Sequence, residues 1–332
     1  MNDLAGWLRR HGPTRPGTEE RLVVDHGDGA AVRTINGEEL LDFSCGALLP
    51  LGHPGPAVEG AALGPGQENP DRITLMHKLA ELVPGGMNRR VLLCDSGREA
   101  LARAVDLACA ERGGGRAVYL ADIRGEAEAG SVRGAAAVIA HPLDARLDAA
   151  AALCRESGAL LVDDETGIAP GTTGSMTAIE HTGVRPDVFV FGRGLAAGLP
   201  LGACITGSSN LRWRFVPDGG SANSCRAALH YVSRLESGLL ARARELGTGL
   251  RSRLERIFPA ERVAGTGLYL GLRFPSGHEA ERFLAGCRRR GLLLGRAGEP
   301  VVGVWPPLVT SDAEMDRAAE VVNSSRAEMG SP

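Results

Sequence analysis

The chain has 332 residues, a formal net charge of −3 at pH 7, 23% charged residues and only 4% aromatic ones. That length can bury a large core as one large or two modest domains. The near-neutral charge excludes the polyelectrolyte surface that nucleic-acid or anionic-membrane binding demands.

Residues 1–20 mix Arg, Gly, Pro and Thr and read as an arm or short helix, with too short an apolar run for a signal peptide. No segment approaches the ~18 uninterrupted apolar residues of a membrane span, so a cytoplasmic protein is expected. Residues 23–43 (VVDHGDGAAVRTINGEELLDF) read as short strands with turns at Asp28-Gly29 and Asn36-Gly37. In 73–83 (ITLMHKLAELV) apolar residues recur at helical spacing up to Pro84-Gly85, which puts Lys78, the only lysine, on a solvated helix. Residues 91–110 read as a strand, a turn and a long helix, and the N–H groups that Ser96-Gly97 supply at the helix start make an anion site.

Short apolar strands follow at 117–121 and 135–140, then His141-Pro142 and a helix over 147–157. Residues 158–167 (GALLVDDETG) form an apolar strand that ends in Asp163, Asp164 and Glu165. Another, 188–191, runs into Gly192-Arg193-Gly194. A strand broken by Gly-X-Gly presents X at its carboxyl end, where open α/β sheets bind ligands, and Arg193 can grip a carboxylate or phosphate there with its two-pronged guanidinium. Beyond 205 a helix is expected over 227–246, continuing to 257, and then an alternating α+β region. The seven cysteines are scattered without C-x-x-C or metal spacing, so they read as buried free thiols and no metal site is expected.

The stretches LLVDDE, GTTGSM, IEHTGVRPD and GLAAGLPLGACI, in this order and spacing, resemble the core of the class III aminotransferases, pyridoxal-phosphate (PLP) enzymes of fold type I. NGEELLDF, LGHP, SGREA and WPPL extend the resemblance over nearly the whole chain. It implies an α/β fold with a mostly parallel central sheet, helices on both faces, a small C-terminal α+β domain and a homodimer. The expected divisions are an N-terminal arm and hairpin segment (1–45), a large domain (46–207) and a small domain (208–332). The resemblance also assigns Ser96, Gly97 and Arg98 to a phosphate cup, Asp164 to the cofactor's ring nitrogen, Ser221 to the partner subunit's phosphate and His53 to a structural role.

Five positions depart from the family pattern, the first being Arg98, which replaces the cup's small residue and either adds a phosphate ligand or fills the space the cofactor phosphate would use. Arg193 stands in place of the Schiff-base lysine, Ile123-Arg124-Gly125 in place of the ring-stacking Tyr-His-Gly, His141-Pro142 in place of Glu-Pro, and Gly303 in place of the arginine that binds the substrate carboxylate. The glycine-rich loop expected after Pro142 is missing. A guanidinium does not shed its proton and so cannot take over the lysine's covalent role. The expectation is therefore a PLP-independent enzyme of cyclase, dehydratase or condensing type in a specialised biosynthetic pathway, acting on a small anionic substrate. Arg193 would be its anion clamp, with Asp164, Glu165 or His141 as acid/base groups. No covalent cofactor is expected. The alternatives are a non-catalytic pseudoenzyme that pairs with a protein of the same pathway, and a transaminase that binds PLP or its amine form (PMP) non-covalently. Asp164 and Arg193 either meet a ligand or form an ion pair in an emptied pocket.

Overall fold

The computed structural model describes residues 24–34, 37–44, 50–52, 70–84, 89–123, 132, 134–206 and 219–330. The expectations for residues 1–20, Asn36, Cys45, His53, Arg124 and Gly125 lie outside the described residues.

Three strands come first: β1 (Val24–Asp28), β2 (Ala31–Thr34) and β3 (Glu39–Phe43), paired antiparallel in that order. The turn between β1 and β2 uses Gly29 at φ 54°, a left-handed conformation that glycine adopts without Cβ strain. Next come α1 (Pro70–Leu82), β4 (Val91–Cys94), α2 (Gly97–Arg112), β5 (Arg116–Tyr119), β6 (Ala135–Ala140), α3 (Leu147–Ser157), β7 (Leu160–Glu165), β8 (Val188–Phe191) and β9 (Gly202–Thr206). Strands β4 to β9 form one sheet in the order β4-β9-β8-β7-β6-β5. Neighbours from β5 to β8 are parallel, while β9 runs antiparallel between β8 and β4.

Strands with apolar runs such as AAAVIA and VFVF are buried on both faces, as a sheet covered on both sides requires. Helix α2 packs Ala100, Ala104 and Leu107 against one face, and α1 and α3 cover the other through Leu75, Leu79 and Leu147.

The C-terminal region contributes α4 (Ala222–Arg234), α5 (Leu240–Glu255), β10 (Val263–Thr266), β11 (Tyr269–Arg273), α6 (Gly277–Arg289), β12 (Leu292–Arg296), β13 (Val301–Val304) and α7 (Asp312–Glu328). The helix expected over 227–257 is interrupted between α4 and α5, where Gly238 takes φ 119°. A second sheet has the order β1-β2-β3-β12-β13-β11-β10, joined where β3 pairs in parallel with β12. The N-terminal strands thus complete the sheet of the C-terminal region. Its core includes Phe258, Phe274 and Phe283, with ring centroids 4.9 to 6.0 Å apart.

Strand alternation separates the three acids of β7. Asp164 follows Val162 on the α2 face, while Asp163 and Glu165 follow Leu161 on the face of α1 and α3. Glu165 Oε1 accepts a hydrogen bond from Ile179 N–H at 3.1 Å. As two carboxylates, the buried pair would leave both oxygens of Asp163 and Glu165 Oε2 without a donor. Burial first, and the Glu165 charge second, push Asp163 well above the usual carboxylate range, and burial pushes Glu165 up to about 8. Both carboxyls keeping their protons at neutral pH resolves the conflict, with no charge buried and the Asp163 hydroxyl able to donate to Glu165.

Raised carboxyl pKa values mean that the native state binds more protons than the unfolded chain between the two titrations. The contribution of this pair to stability is complete below the ordinary Glu value of 4.5 and is lost as pH rises through about 8. Thermal melts at about pH 5 and about pH 8.5 should show wild type losing on the order of 5 °C more than Glu165→Gln. Equal losses would refute the buried proton.

Candidate active site

The carboxyl ends of β4, β7 and β8 meet at one edge of the six-stranded sheet. Ser96 caps α2, its Oγ accepting a hydrogen bond from Glu99 N–H at 3.2 Å. The start of α2 opens onto a cavity of about 560 Å³ lined by Ser96, Gly97, Arg98, Thr166, Gly167 and Arg193. Glycine allows the close approach of the strand ends: a Cβ on Gly97 would lie 2.9 Å from Thr166 Cγ2, and one on Gly192 only 2.6 Å from the Thr166 carbonyl oxygen.

Arg98 and Arg193 are exposed, and neither has a hydrogen-bond or ion-pair partner among the described residues. Asp164 is half-buried. Its Oδ1 accepts from Thr166 N–H at 3.0 Å and from the Thr166 hydroxyl at 2.6 Å, which leaves Oδ2 open. The Asp164–Arg193 ion pair weighed from the sequence does not form among the described residues. Ser221 caps α4, accepting from Ser224 N–H at 3.2 Å. It does not line the cavity, although the neighbouring Gly220 N–H ties this helix start to Asp95 Oδ1 at 3.0 Å. Glu165 is turned to the opposite face of the sheet and does not join the group.

His141 follows β6 and lines a second cavity, of about 650 Å³, which shares Gly167 with the first. Its Nδ1 accepts from Leu143 N–H at 3.2 Å, so the neutral ring carries its proton on Nε2. One side of the ring is open, yet desolvation by the surrounding wall lowers its pKa against the opposing pull of Asp164 and Asp144. The sequence reading missed two residues of this chamber. Tyr269 stacks on Trp305 with centroids 5.3 Å apart and an interplanar angle of 6°, and His141 lies 6.0 Å from Tyr269 at 31°. The signal was present as aromatics spaced two residues from glycines, Tyr269 from Gly271 and Trp305 from Gly303, in an aromatic-poor chain.

Lys78 lines neither cavity. It is 38% exposed on α1, with Nζ 3.1 Å from Glu236 Oε1. Burial pushes the thiols of Cys94 and Cys154 up to about 12 and that of Cys287 up to about 11, so none of the three is a nucleophile at neutral pH. Among the described residues no group of three or more His, Cys, Asp and Glu side chains could hold a metal ion, and no helix is long and apolar enough to cross a membrane. Chemically, the edge is a cationic cup for an anion, with a carboxylate acceptor and a neutral imidazole beside it.

Residues 128–325 match the family described as aminotransferase class-III. The acetylornithine aminotransferase of Listeria monocytogenes is 29% identical over 371 aligned residues, covering 92% of this chain and 95% of that protein. Among solved structures, a phospholyase from Arthrobacter in complex with phosphoethanolamine has a TM-score of 0.85 at 21% identity, covering 99% of this chain and 100% of that one. The PMP-bound form of an aminotransferase from Vibrio fluvialis has a TM-score of 0.83 at 18% identity, covering 99% and 98%. At those identities the structures bear on the fold, which is the expected α/β fold type I.

The curated relatives are aminotransferases matched over nearly their full length. This overturns the expectation of a PLP-independent cyclase, dehydratase or condensing enzyme, and that of a non-catalytic pseudoenzyme. The departures at Arg193, His141 and Gly303 were given the weight of a lost chemistry. Yet the cup is not closed by an internal ion pair, and its acceptor carboxylate stays in place. The chain belongs to the class-III aminotransferases.

Proposed function

We propose that the protein moves amino groups between small molecules with PLP or PMP held non-covalently in the cup, Arg193 taking the place of the family's Schiff-base lysine. The observation that carries this reading is the pair of unpartnered guanidinium groups, Arg98 and Arg193, beside the start of the 16-residue helix α2. A cationic rim and a row of helix N–H groups suit a phosphate. We extend the proposal to a homodimer with an arm (1–45), a large domain (46–207) and a small domain (208–332), residues 24–43 adding strands to the small domain's sheet.

The chain's residues fit such a cofactor. Ser96, Gly97 and Arg98 would hold its phosphate, and Asp164 Oδ2 is free to accept from a protonated ring nitrogen. When bound, the cofactor supplies the electron sink that makes a carbon–hydrogen bond beside the transferred nitrogen acidic. Thr166 fixes the Asp164 carboxylate with two hydrogen bonds, so its orientation is set before any ligand arrives. Arg193 stays charged and neutralises anionic groups at the rim. With Nδ1 engaged by Leu143, His141 offers its Nε2–H as a hydrogen-bond donor to a substrate.

Equilibrium dialysis of the full chain against PMP should show saturable binding. Arg98→Ala and Arg193→Ala should each weaken it about 10-fold, the scale of one charge-assisted hydrogen bond. Binding that is absent, or indifferent to both arginines, would overturn the proposal. The PMP-loaded protein should convert a 2-oxo acid to an amino acid, and Asp164→Ala should slow that conversion by roughly 100-fold. An unchanged rate in that variant would remove Asp164 from the reaction.

A further inference from the structure

Strand register lays three glycines side by side: Gly271 of β11 pairs with Gly303 of β13, which pairs in turn with Gly295 of β12. Residues two apart on a strand share a face, so Tyr269 stands on the same face as this row, and Trp305, the residue just after β13, folds its side chain onto that face. The indole lies against it. A Cβ on Gly295 would fall 2.5 Å from Trp305 Cζ3, and one on Gly303 2.2 Å from Trp305 Cζ2. One on Gly271 would meet only Val301 Cγ1, at 2.9 Å. The indole thus covers Gly295 and Gly303, and beyond it Gly271, flanked by Val301, joins Tyr269, His141 and Trp305 in the wall of the 650 Å³ cavity.

The chamber's charges are already engaged: Arg296 pairs with Glu281, and Asp144 pairs with Arg146 at 2.7 Å. Gly303 sits where the family resemblance places the carboxylate-binding arginine, and any side chain there would collide with the indole. What remains to recognise a ligand is aromatic surface, the Gly271 backbone and one neutral donor, the His141 Nε2–H, which suits a planar ring carrying one polar group better than a second carboxylate. We propose that the cavity lined by Gly271, Tyr269 and Trp305 is a slot for the aromatic ring of the substrate, so that the amino donor or acceptor is an aryl-bearing amine or ketone rather than a dicarboxylic acid. The naming of donor and acceptor rests on the amino-transfer reading; the ring slot does not.

The test is isothermal titration of the full chain, in the presence of PMP, with 3-phenylpropylamine, butylamine and glutarate. The aryl amine should bind at least about 10-fold more tightly than either of the others, butylamine controlling for the charge. Trp305→Ala and Gly271→Val should each erase that preference. Gly271→Val adds bulk to the cavity wall beside Val301, away from the indole, and should leave PMP affinity unchanged, so it decides the matter if circular dichroism shows that Trp305→Ala does not fold. Glutarate or butylamine binding as tightly as the aryl amine, or an aryl preference that survives Gly271→Val, would overturn the slot. An aryl preference without any PMP binding would instead leave the slot standing and remove the amino-transfer reading.

Discussion

The close approach of β4, β7, β8 and the start of β9 at their shared edge is the constraint on which the site depends. It is made by glycines. A Cβ on Gly202 would sit 2.2 Å from the Ser96 carbonyl oxygen, and the positions of Gly97 and Gly192 are nearly as tight against Thr166. Backbone contact at these points puts the N-cap of α2, the Asp164 carboxylate and the Arg193 turn around one cavity with no side chain between them. A single methyl group at any of the three would push a strand end outward and separate the helix start from Arg193.

Within that frame the charges are arranged by strand alternation and local capping. Thr166 takes Asp164 Oδ1, so the carboxylate is oriented by its own strand end and does not need Arg193. The guanidinium is left facing an open cup. The other two acids of the same strand are directed into the core, where keeping their protons is less costly than burying two charges. One hexapeptide, LLVDDE, thus supplies both a site carboxylate and a buried carboxyl pair.

Much of this could be read in the sequence, because it depends on local pattern. Apolar strands that end in polar residues, Ser96-Gly97 opening a helix and the Gly-Arg-Gly turn all lie where the residues placed them. The same alternation rule could have set Glu165 apart from Asp164 without a structure, since the two are adjacent on one strand. What could not be read is non-local. The pairing of β3 with β12 joins residues about 250 positions apart in sequence, and the glycine row of the aromatic chamber exists only through cross-strand register. The break at Gly238 was hidden because a lone glycine inside a helical pattern is usually tolerated. The functional misreading had a different source: residue substitutions in one pocket were weighed above the near full-length match of the chain to aminotransferases.

Arg193 remains the residue on which the proposed function turns, since that proposal gives a guanidinium the place of the family's Schiff-base lysine and so a cofactor held without a covalent bond. Lys78 offers no substitute, because the hydrogen bond and charge of Glu236 raise its pKa and keep it protonated. Borohydride reduction of the PLP-saturated protein, followed by intact mass, addresses this most directly when wild type and Arg193→Lys are compared. The account predicts no mass gain for wild type and a gain of one cofactor for Arg193→Lys. A cofactor-sized gain on the wild-type chain, mapped to Lys78 or the N-terminal amine, would contradict it.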